Sequence, residues 1–274
     1  MPRFAVVGHV EWVAFLTVPR VPLAGEIVHA DQWWSEPAGG GAVAAVQLAK
    51  LNGTATFFTA FGNDDHARRA AEELRGHGVE VEAAVRDRPQ RRGVALLDAR
   101  GERTIVVQGE RLVPTGDDDL PWERLAQMDG VYFTGGDTGS LGAARAARTL
   151  VATPRAHDAL TGSDVFLDAL VRSAGDAGEQ DDWSAKLTVS TRGPDGGIYT
   201  TADGRAGTFR AAPLPGPVVD AYGAGDSFAA GLTFALGSGM DVDSALELAA
   251  RCGAANLTGA GPYAGQLTAA AWQR

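Results

Sequence analysis

The segment Asp220-Ala221-Tyr222-Gly223-Ala224-Gly225-Asp226-Ser227-Phe228-Ala229-Ala230-Gly231 sets a carboxylate and two glycines at the start of a helix. Glycines at 223 and 225 let the backbone approach a ligand closely and adopt φ > 0. The i, i+4, i+8 spacing of Phe228, Leu232 and Leu236 predicts a helix over 227–236 with these three as its buried stripe. The free N–H groups of Ala224, Gly225 and Asp226 then converge where a helix favours an anion. Asp226 stands at the same point. It can cap the helix, or it can take a proton from a hydroxyl beside a bound phosphate. The segment is too short to decide between the two.

The elements that must position this chemistry alternate between strands and helices. Phe4 to Val7, Thr54 to Phe61, Val79 to Val85, Gly130 to Thr134 and Leu187 to Ser190 read as buried strands. Ala42 to Leu51, stopped by Asn52-Gly53, Asp64 to Gly76, Leu141 to Leu150, Ser227 to Leu236 and Ser244 to Ala255 read as helices. Such alternation implies a mostly parallel sheet covered on both faces. Arg92 to Val107 reads as a hairpin around Ala99-Arg100-Gly101-Glu102, and Glu11 to Ala30 as extended edge structure. A hairpin inserted into an alternating chain suggests a flap. The run Asp117-Asp118-Asp119 reads as a solvated turn rather than a metal site. Trp33-Trp34 fits either a ligand cover or an edge strand.

Composition narrows the chemistry. Of 274 residues 36 are Gly, about 13 %, against roughly 7 % in average usage. The 24 basic residues include only two lysines, Lys50 and Lys186, neither in a Gly-Lys-Ser/Thr context, so there is no P-loop. A net charge of −10 argues against a nucleic-acid or anionic-membrane partner. Cys252 has no partner for a disulfide or a CxxC zinc site. No signal peptide or membrane-length apolar run is evident, which makes a cytoplasmic protein the expectation. Gly8-His9-Val10-Glu11 carries one glycine, which excludes a Rossmann fingerprint after the first strand.

The 220–226 segment resembles the Asp-Thr-x-Gly-Ala-Gly-Asp signature of the ribokinase-like (PfkB) carbohydrate kinases. The resemblance continues in order along the chain. Gly39-Gly40-Gly41-Ala42-Val43 is similar to the family's glycine-rich loop and helix, Gly62-Asn63-Asp64 to its Gly-x-Asp, and 93–107 to its flap. Thr191-Arg192-Gly193-Pro194-Asp195-Gly196 is similar to its nucleotide loop, and Gly259-Ala260-Gly261 to its closing loop. The resemblance implies one α/β/α domain over 1–274, with a small β-lid from segments of about 11–33 and 93–107. It implies ATP-dependent phosphoryl transfer to a hydroxyl of a small sugar or sugar-like acceptor. Asp226 would be the general base, with Gly223, Ala224 and Gly225 completing the anion hole. Thr191, Gly193 and Gly196 would line the nucleotide, and Gly39, Gly40 and Gly41 would lie against the acceptor. Mg²⁺ would bridge the phosphates. Asp220 would hold the anion-hole loop, which in this family can sit over a monovalent cation. A homodimer through the lid is also implied.

Several residues depart from the family pattern. Val13 stands where an acceptor-binding Asp is usual, leaving Glu11 as the nearest carboxylate. Val43 replaces the Asn of the glycine-rich loop, and Ala221 the Thr of the signature. Ser173-Ala174-Gly175-Asp176 replaces Asn-x-x-Glu, so Asp176 is the one carboxylate left near the metal, acting indirectly. The loss of two polar contacts suggests a different, larger or less hydroxyl-rich acceptor. A nucleoside kinase of the same fold, or a non-catalytic sugar- or nucleotide-binding descendant, are the alternatives.

Overall fold

Phe4, Ala5, Val6 and Val7 are apolar on both sides of the backbone, and the strand they form is buried on both faces. The computed structural model describes residues 2–181 and 183–273. The strands are β1 (Phe4–Val7), β2 (Glu11–Thr17), β3 (Gln32–Ala38), β4 (Ala55–Phe61), β5 (Val79–Val85), β6 (Arg92–Leu97) and β7 (Arg103–Gln108) in the first half. They continue as β8 (Gly130–Phe133), β9 (Leu150–Ala152), β10 (Leu167–Ser173), β11 (Ala185–Thr191), β12 (Gly197–Thr201) and β13 (Ala206–Phe209). The helices are α1 (Gly40–Asn52), α2 (Asp65–Gly76), α3 (Thr138–Ala144), α4 (His157–Thr161), α5 (Ala224–Gly237), α6 (Val242–Asn256) and α7 (Ala269–Trp272).

Nine strands form the main sheet in the order β13-β12-β11-β10-β9-β8-β1-β4-β5. From β5 to β11 the neighbours are parallel; β12 and β13 add an antiparallel edge. Alternation along β1 assigns its faces. Phe4 and Val6 join the core under α1, α5 and α6, whereas Ala5 and Val7 join the core under α3 and α4. The result is the three-layer α/β/α arrangement of a ribokinase-like fold. The second sheet, β3-β2-β6-β7, draws on both segments expected to form a lid. Its β2–β6 pair is parallel and its two outer pairs are antiparallel.

Several boundaries follow directly from local chemistry. Asp64 caps α2 by accepting the Ala67 N–H at 3.0 Å, and Gly53 closes α1 with φ 90°. Other expectations need correcting. The helix expected over 141–150 is α3, which begins three residues earlier because Asp137 and Ser140 form a reciprocal capping box. It ends at Ala144, and Leu150 opens β9 instead. Helix α5 is not a one-stripe helix: Leu236 is only half-buried, while Ser227, Ala229, Ala230, Gly231, Thr233 and Ala235 are buried as well. The sequence does not announce β9, β10, β12 or β13 as strands, and Trp33-Trp34 lie in strand β3 at the edge of the second sheet. The run at 117–119 is a turn in which Asp118 pairs with Arg86 at 2.6 Å. No helix among the described residues is long and apolar enough to cross a membrane.

Candidate active site

Parallel strands all point their carboxyl ends the same way, so the residues that follow them meet along one edge of the sheet. Gly8 and His9 follow β1, Thr134 follows β8, Arg155 comes shortly after β9, and Thr191 ends β11. The neighbours of β1 lie on opposite sides of it, β4 and β8, and ligands bind at such crevices in α/β sheets.

Helix α5 begins at this edge. Its N-cap, Gly223, has φ 79° and no side chain to give, so the first amides of the helix are not capped. Gly225 is exposed, with open space where a Cβ would stand. Asp226 does not cap the helix either, and among the described residues its half-buried carboxylate accepts no hydrogen bond. It faces Gly40 instead: a Cβ on Gly40 would lie 2.7 Å from Asp226 Oδ1 and 3.3 Å from Thr134 Oγ1. Burial raises the Asp226 pKa to about 6. Glu179 pushes the same way, while Arg155, Arg103 and Arg111 oppose it.

The wall beyond Gly39 is charged. Gly39 has φ 88°, and a Cβ there would stand 3.1 Å from His9 Nε2 and 3.3 Å from Glu11 Cγ. Its N–H donates to the Tyr222 hydroxyl at 3.2 Å. Arg111 Nη2 lies 2.9 Å from His9 Nδ1 and donates to the Thr134 carbonyl at 2.7 Å. A guanidinium only donates, so His9 Nδ1 is the acceptor and the ring proton sits on Nε2, 3.5 Å from Glu11. Burial, then the Arg111 charge, lowers the His9 pKa to about 4, so the ring is neutral at pH 7. Glu11 is buried, which disfavours its charge. Burial is the largest single influence, but the His9 hydrogen bond and the charges of Arg91, 2.9 Å away, and Arg111 together outweigh it, and the Glu11 pKa falls below the ordinary value. Gly41 brings α1 against β1, for a Cβ would meet the His9 carbonyl at 2.7 Å.

On the opposite side, Gly193 (φ 57°) is open and Thr191 is half-buried, its hydroxyl 3.3 Å from the Arg172 carbonyl. Gly196 (φ 75°) is shut in instead: a Cβ would lie 2.1 Å from the Phe209 carbonyl, so this glycine lets β13 approach. Buried Asp220 accepts the Tyr222 N–H at 2.8 Å and the Gly261 N–H at 2.9 Å, which ties the loop before α5 to the 259–261 loop. Arg155 bridges Asp176 and Glu179, and the buried Glu179 also accepts the Ser173 N–H at 2.8 Å. Among the described residues no three His, Cys, Asp or Glu side chains form a metal-binding group. A divalent ion would draw most of its ligands from phosphates and water, as Mg²⁺ commonly does.

The pattern described as "pfkB family carbohydrate kinase" matches residues 1–172 and 158–269, nearly the whole chain. The chain belongs to the pfkB family. It is therefore an ATP-dependent carbohydrate kinase, a phosphotransferase acting on a hydroxyl. The chain is 28 % identical over 277 residues to a protein of Halopiger xanaduensis described as an ATP-dependent ribose-1-phosphate kinase, covering 93 % of this chain and 91 % of that one. Among solved structures, Thermotoga maritima ribokinase superposes with a TM-score of 0.79 at 18 % identity, over 100 % of this chain and 98 % of that one. Arabidopsis thaliana ribokinase, solved with ribose and ATP, superposes with a TM-score of 0.77 at 21 % identity, over 98 % and 97 % of the two chains. At these identities the structural likeness speaks for the fold.

In this pfkB kinase the second sheet rests on the loops around the start of α5. Arg103 donates to the Ala221 carbonyl at 3.0 Å, and the Tyr263 hydroxyl to the Pro37 carbonyl at 2.6 Å. Phe15 stacks on Trp34 and meets Tyr222 edge-on. Trp34 thus packs into the core of the second sheet, while Trp33 is 75 % exposed. Trp34 also donates to Glu36 at 2.8 Å, whose carboxyl burial raises to about 7. Val13 packs on Gly93, 3.2 Å from its would-be Cβ, and Val43 on Gly223 at 2.8 Å. Asp226, Gly40, Gly39 and Glu11 come together; Gly196 stands apart, packed against the end of β13. Sequence reasoning did not find Arg155, Glu179, Thr134 or His9. Of these, only His9 carried a signal, as a polar residue directly after the Gly that ends the first strand.

Proposed function

We propose that the chain transfers the γ-phosphoryl group of ATP to a hydroxyl of a small phosphorylated sugar, with ribose 1-phosphate the first acceptor to test. The observation that carries the chemistry is Asp226: a carboxylate without a partner, beside uncapped amides of α5 and over the space that Gly40 leaves free. It takes the acceptor proton as the oxygen attacks the γ-phosphorus in line, while the Gly223–Asp226 amides neutralise charge on the transferring group. Thr191 and Gly193 line the nucleotide. Arg155 fixes Asp176 and Glu179, which would hold the waters of a Mg²⁺ ion that would offset phosphate charge. Asp220 holds its loop through two amides.

The phosphate on the acceptor is supported by charge and by the Halopiger relative. Arg91 and Arg111 face the single carboxylate of Glu11 in the wall beside Gly39, an excess of one positive charge where Val13 and Val43 give no hydrogen bonds. ADP release measured with ribose 1-phosphate, ribose, hexoses and nucleosides tests this. Highest kcat/KM with ribose 1-phosphate is the expected result. Faster turnover of a nucleoside would move the assignment to a nucleoside kinase, and ligand binding without turnover to a non-catalytic descendant.

The base must be ionised to act, so kcat/KM is expected to rise with pH through about 6 and then level off. Arg155 is the largest charge holding that pKa down, so Arg155→Ala is expected to move the rise to higher pH. A profile flat from pH 5 to 8 would remove Asp226 from the reaction.

We assign the outer lid face to a second copy of the chain. Ala14, Val94 and Val106 sit side by side across three strands, with Trp33 exposed on the neighbouring β3, an apolar row that can match itself about a two-fold axis. Sedimentation is expected to show a dimer, and Val106→Glu a monomer.

A further inference from the structure

Glu36 is a half-buried carboxyl that the kinase reading leaves without a task. It sits near the end of β3, shortly before Gly39, and stands opposite Val13 in the β2–β3 register. Strand alternation puts it on the same face as Trp34. Its Oε1 accepts the Trp34 Nε1–H at 2.8 Å, and a Cβ on Gly261 would overlap that same oxygen. Gly261 is held from its other side by Asp220, which accepts its N–H at 2.9 Å and the Tyr222 N–H at 2.8 Å. Two further bonds close the circuit. The Tyr222 hydroxyl accepts the Gly39 N–H at 3.2 Å, and the Tyr263 hydroxyl donates to the Pro37 carbonyl at 2.6 Å. The end of β3, the 259–263 loop and the loop before α5 thus form one ring of contacts, from which Gly39, Gly40 and Gly223 all hang.

The charges around Glu36 disfavour its ionisation. Burial is the main cause and raises its pKa to about 7. The Trp34 hydrogen bond opposes this, Glu73 of α2 and Asp220 of the loop before α5 add to it, and Lys50 of α1 opposes it. Lys50 is itself committed to the Tyr263 carbonyl. The Tyr263 phenol stays protonated, held so by burial and then by the Glu36 charge. His77, after α2, packs on the Tyr263 ring, and burial followed by the Lys50 charge lowers its pKa.

Resting on the kinase reading, we infer that Glu36 is a positioning residue for the acceptor: its neutral carboxyl seats β3 against the Gly261 loop, and its ionisation loosens that seat together with Gly39 and Gly40. Glu36 touches no substrate and acts through those glycines. The seated form binds the Glu36 proton more tightly than a loosened form whose carboxyl reaches water. The seat is therefore at full strength below the ordinary value of 4.5 and is lost as pH rises through about 7.

The test compares the unsubstituted protein with Glu36→Gln, using ribose 1-phosphate as probe. Glutamine keeps an oxygen for Trp34 and cannot ionise. Acceptor KM from ADP release, acceptor Kd from calorimetry and Tm are followed from about pH 5 to about pH 8.5, a range that spans the loss of the seat. The acceptor phosphate and Asp226 titrate alike in both proteins, so the KM ratio of unsubstituted protein to Glu36→Gln isolates position 36. That ratio is expected to be near one at the acid end, to climb by no more than about tenfold per pH unit for one proton, and to level off several-fold higher above neutrality. The Tm of Glu36→Gln is expected to match at the acid end and to lie above that of the unsubstituted protein at the alkaline end. Trp34→Phe keeps a ring on Phe15 but removes the bond that opposes the raised pKa, so its climb is expected to extend to higher pH. A ratio of one at every pH would overturn the inference while Asp226→Asn still reported on the kinase reading. An acceptor KM raised equally at every pH in Glu36→Gln, with a matching fall in Tm, would overturn it as well, by making the carboxylate structural. If the unsubstituted protein neither binds nor turns over ribose 1-phosphate, the acceptor assignment and this inference fall together.

Discussion

Asp226→Asn is expected to lower kcat by about 10²–10⁴-fold, the usual range for a general base, with nucleotide affinity nearly intact. The substitution keeps the shape of the side chain and removes its ability to take a proton. The free protein offers Asp226 no hydrogen bond, so no structural bond is lost. The stability sign runs opposite to the activity. Burial raises the folded-state pKa to about 6 from an ordinary 3.8, so the folded protein binds this proton more tightly than the unfolded chain does. The resulting stability is present below about pH 3.8 and is lost as pH rises through about 6. At pH 8 the ionised carboxylate is a burden that Asn does not carry. Asp226→Asn is therefore expected to melt at or above the unsubstituted protein at pH 8 while its turnover collapses. Loss of activity with a matching fall in Tm would mean that Asp226 holds the helix start together and does no chemistry. Full turnover in the Asn enzyme would remove it from the mechanism altogether.

The parts of the site that were legible in sequence are those whose information is local. Gly223, Gly225 and Asp226 announce themselves because the glycines and the helix that follows them are adjacent, and Gly39–Gly41 precede α1 in the same way. The same holds for β1, α2 and the β6–β7 hairpin, whose patterns and caps lie within one short stretch of chain each. What was not legible is assembled by sheet order. Arg155 follows a strand of three residues, too short for periodicity, and meets Glu179 only because β9 and β10 are neighbours. Arg91 lies 80 positions from Glu11 and reaches it because β6 pairs with β2. Thr134 reads as the last residue of an ordinary strand; its surroundings come from Gly8 and Gly40, two other chain segments beside its methyl and its hydroxyl. β12 and β13 were missed because Gly197, Gly207 and several threonines give them no apolar alternation. Val43 was legible as a lost polar contact, but the reason for it was not: it fills the space beneath Gly223.

That contact gives the second large effect. Gly223→Ala is expected to abolish most activity, because two independent terms act on the anion hole. The backbone at 223 has φ 79°, a conformation that costs a non-glycine residue roughly 1–2 kcal/mol. The new methyl would also stand 2.8 Å from Val43 Cγ1, which is wholly buried and held by α1, so overpacking adds typically 1–3 kcal/mol. The chain can relieve both by turning the 223–224 peptide, and that motion carries the Ala224 and Gly225 amides away from the transferring phosphoryl group. Loss of one such donor commonly costs about 10²–10³-fold in kcat. The two terms separate in a double-mutant cycle. Val43→Ala opens room beneath position 223 but leaves φ unchanged, so Gly223→Ala/Val43→Ala is expected to recover the overpacking part of the stability loss and little of kcat. Recovery of kcat as well would show that the clash alone displaces the amides and that an αL backbone at 223 is dispensable. No loss of kcat in Gly223→Ala would show that the start of α5 does not hold the phosphoryl group. Measured with the acceptor KM, the cycle also locates the defect: damage to the anion hole lowers kcat at fixed acceptor KM, whereas a shift of α1 moves Gly40 and raises acceptor KM first.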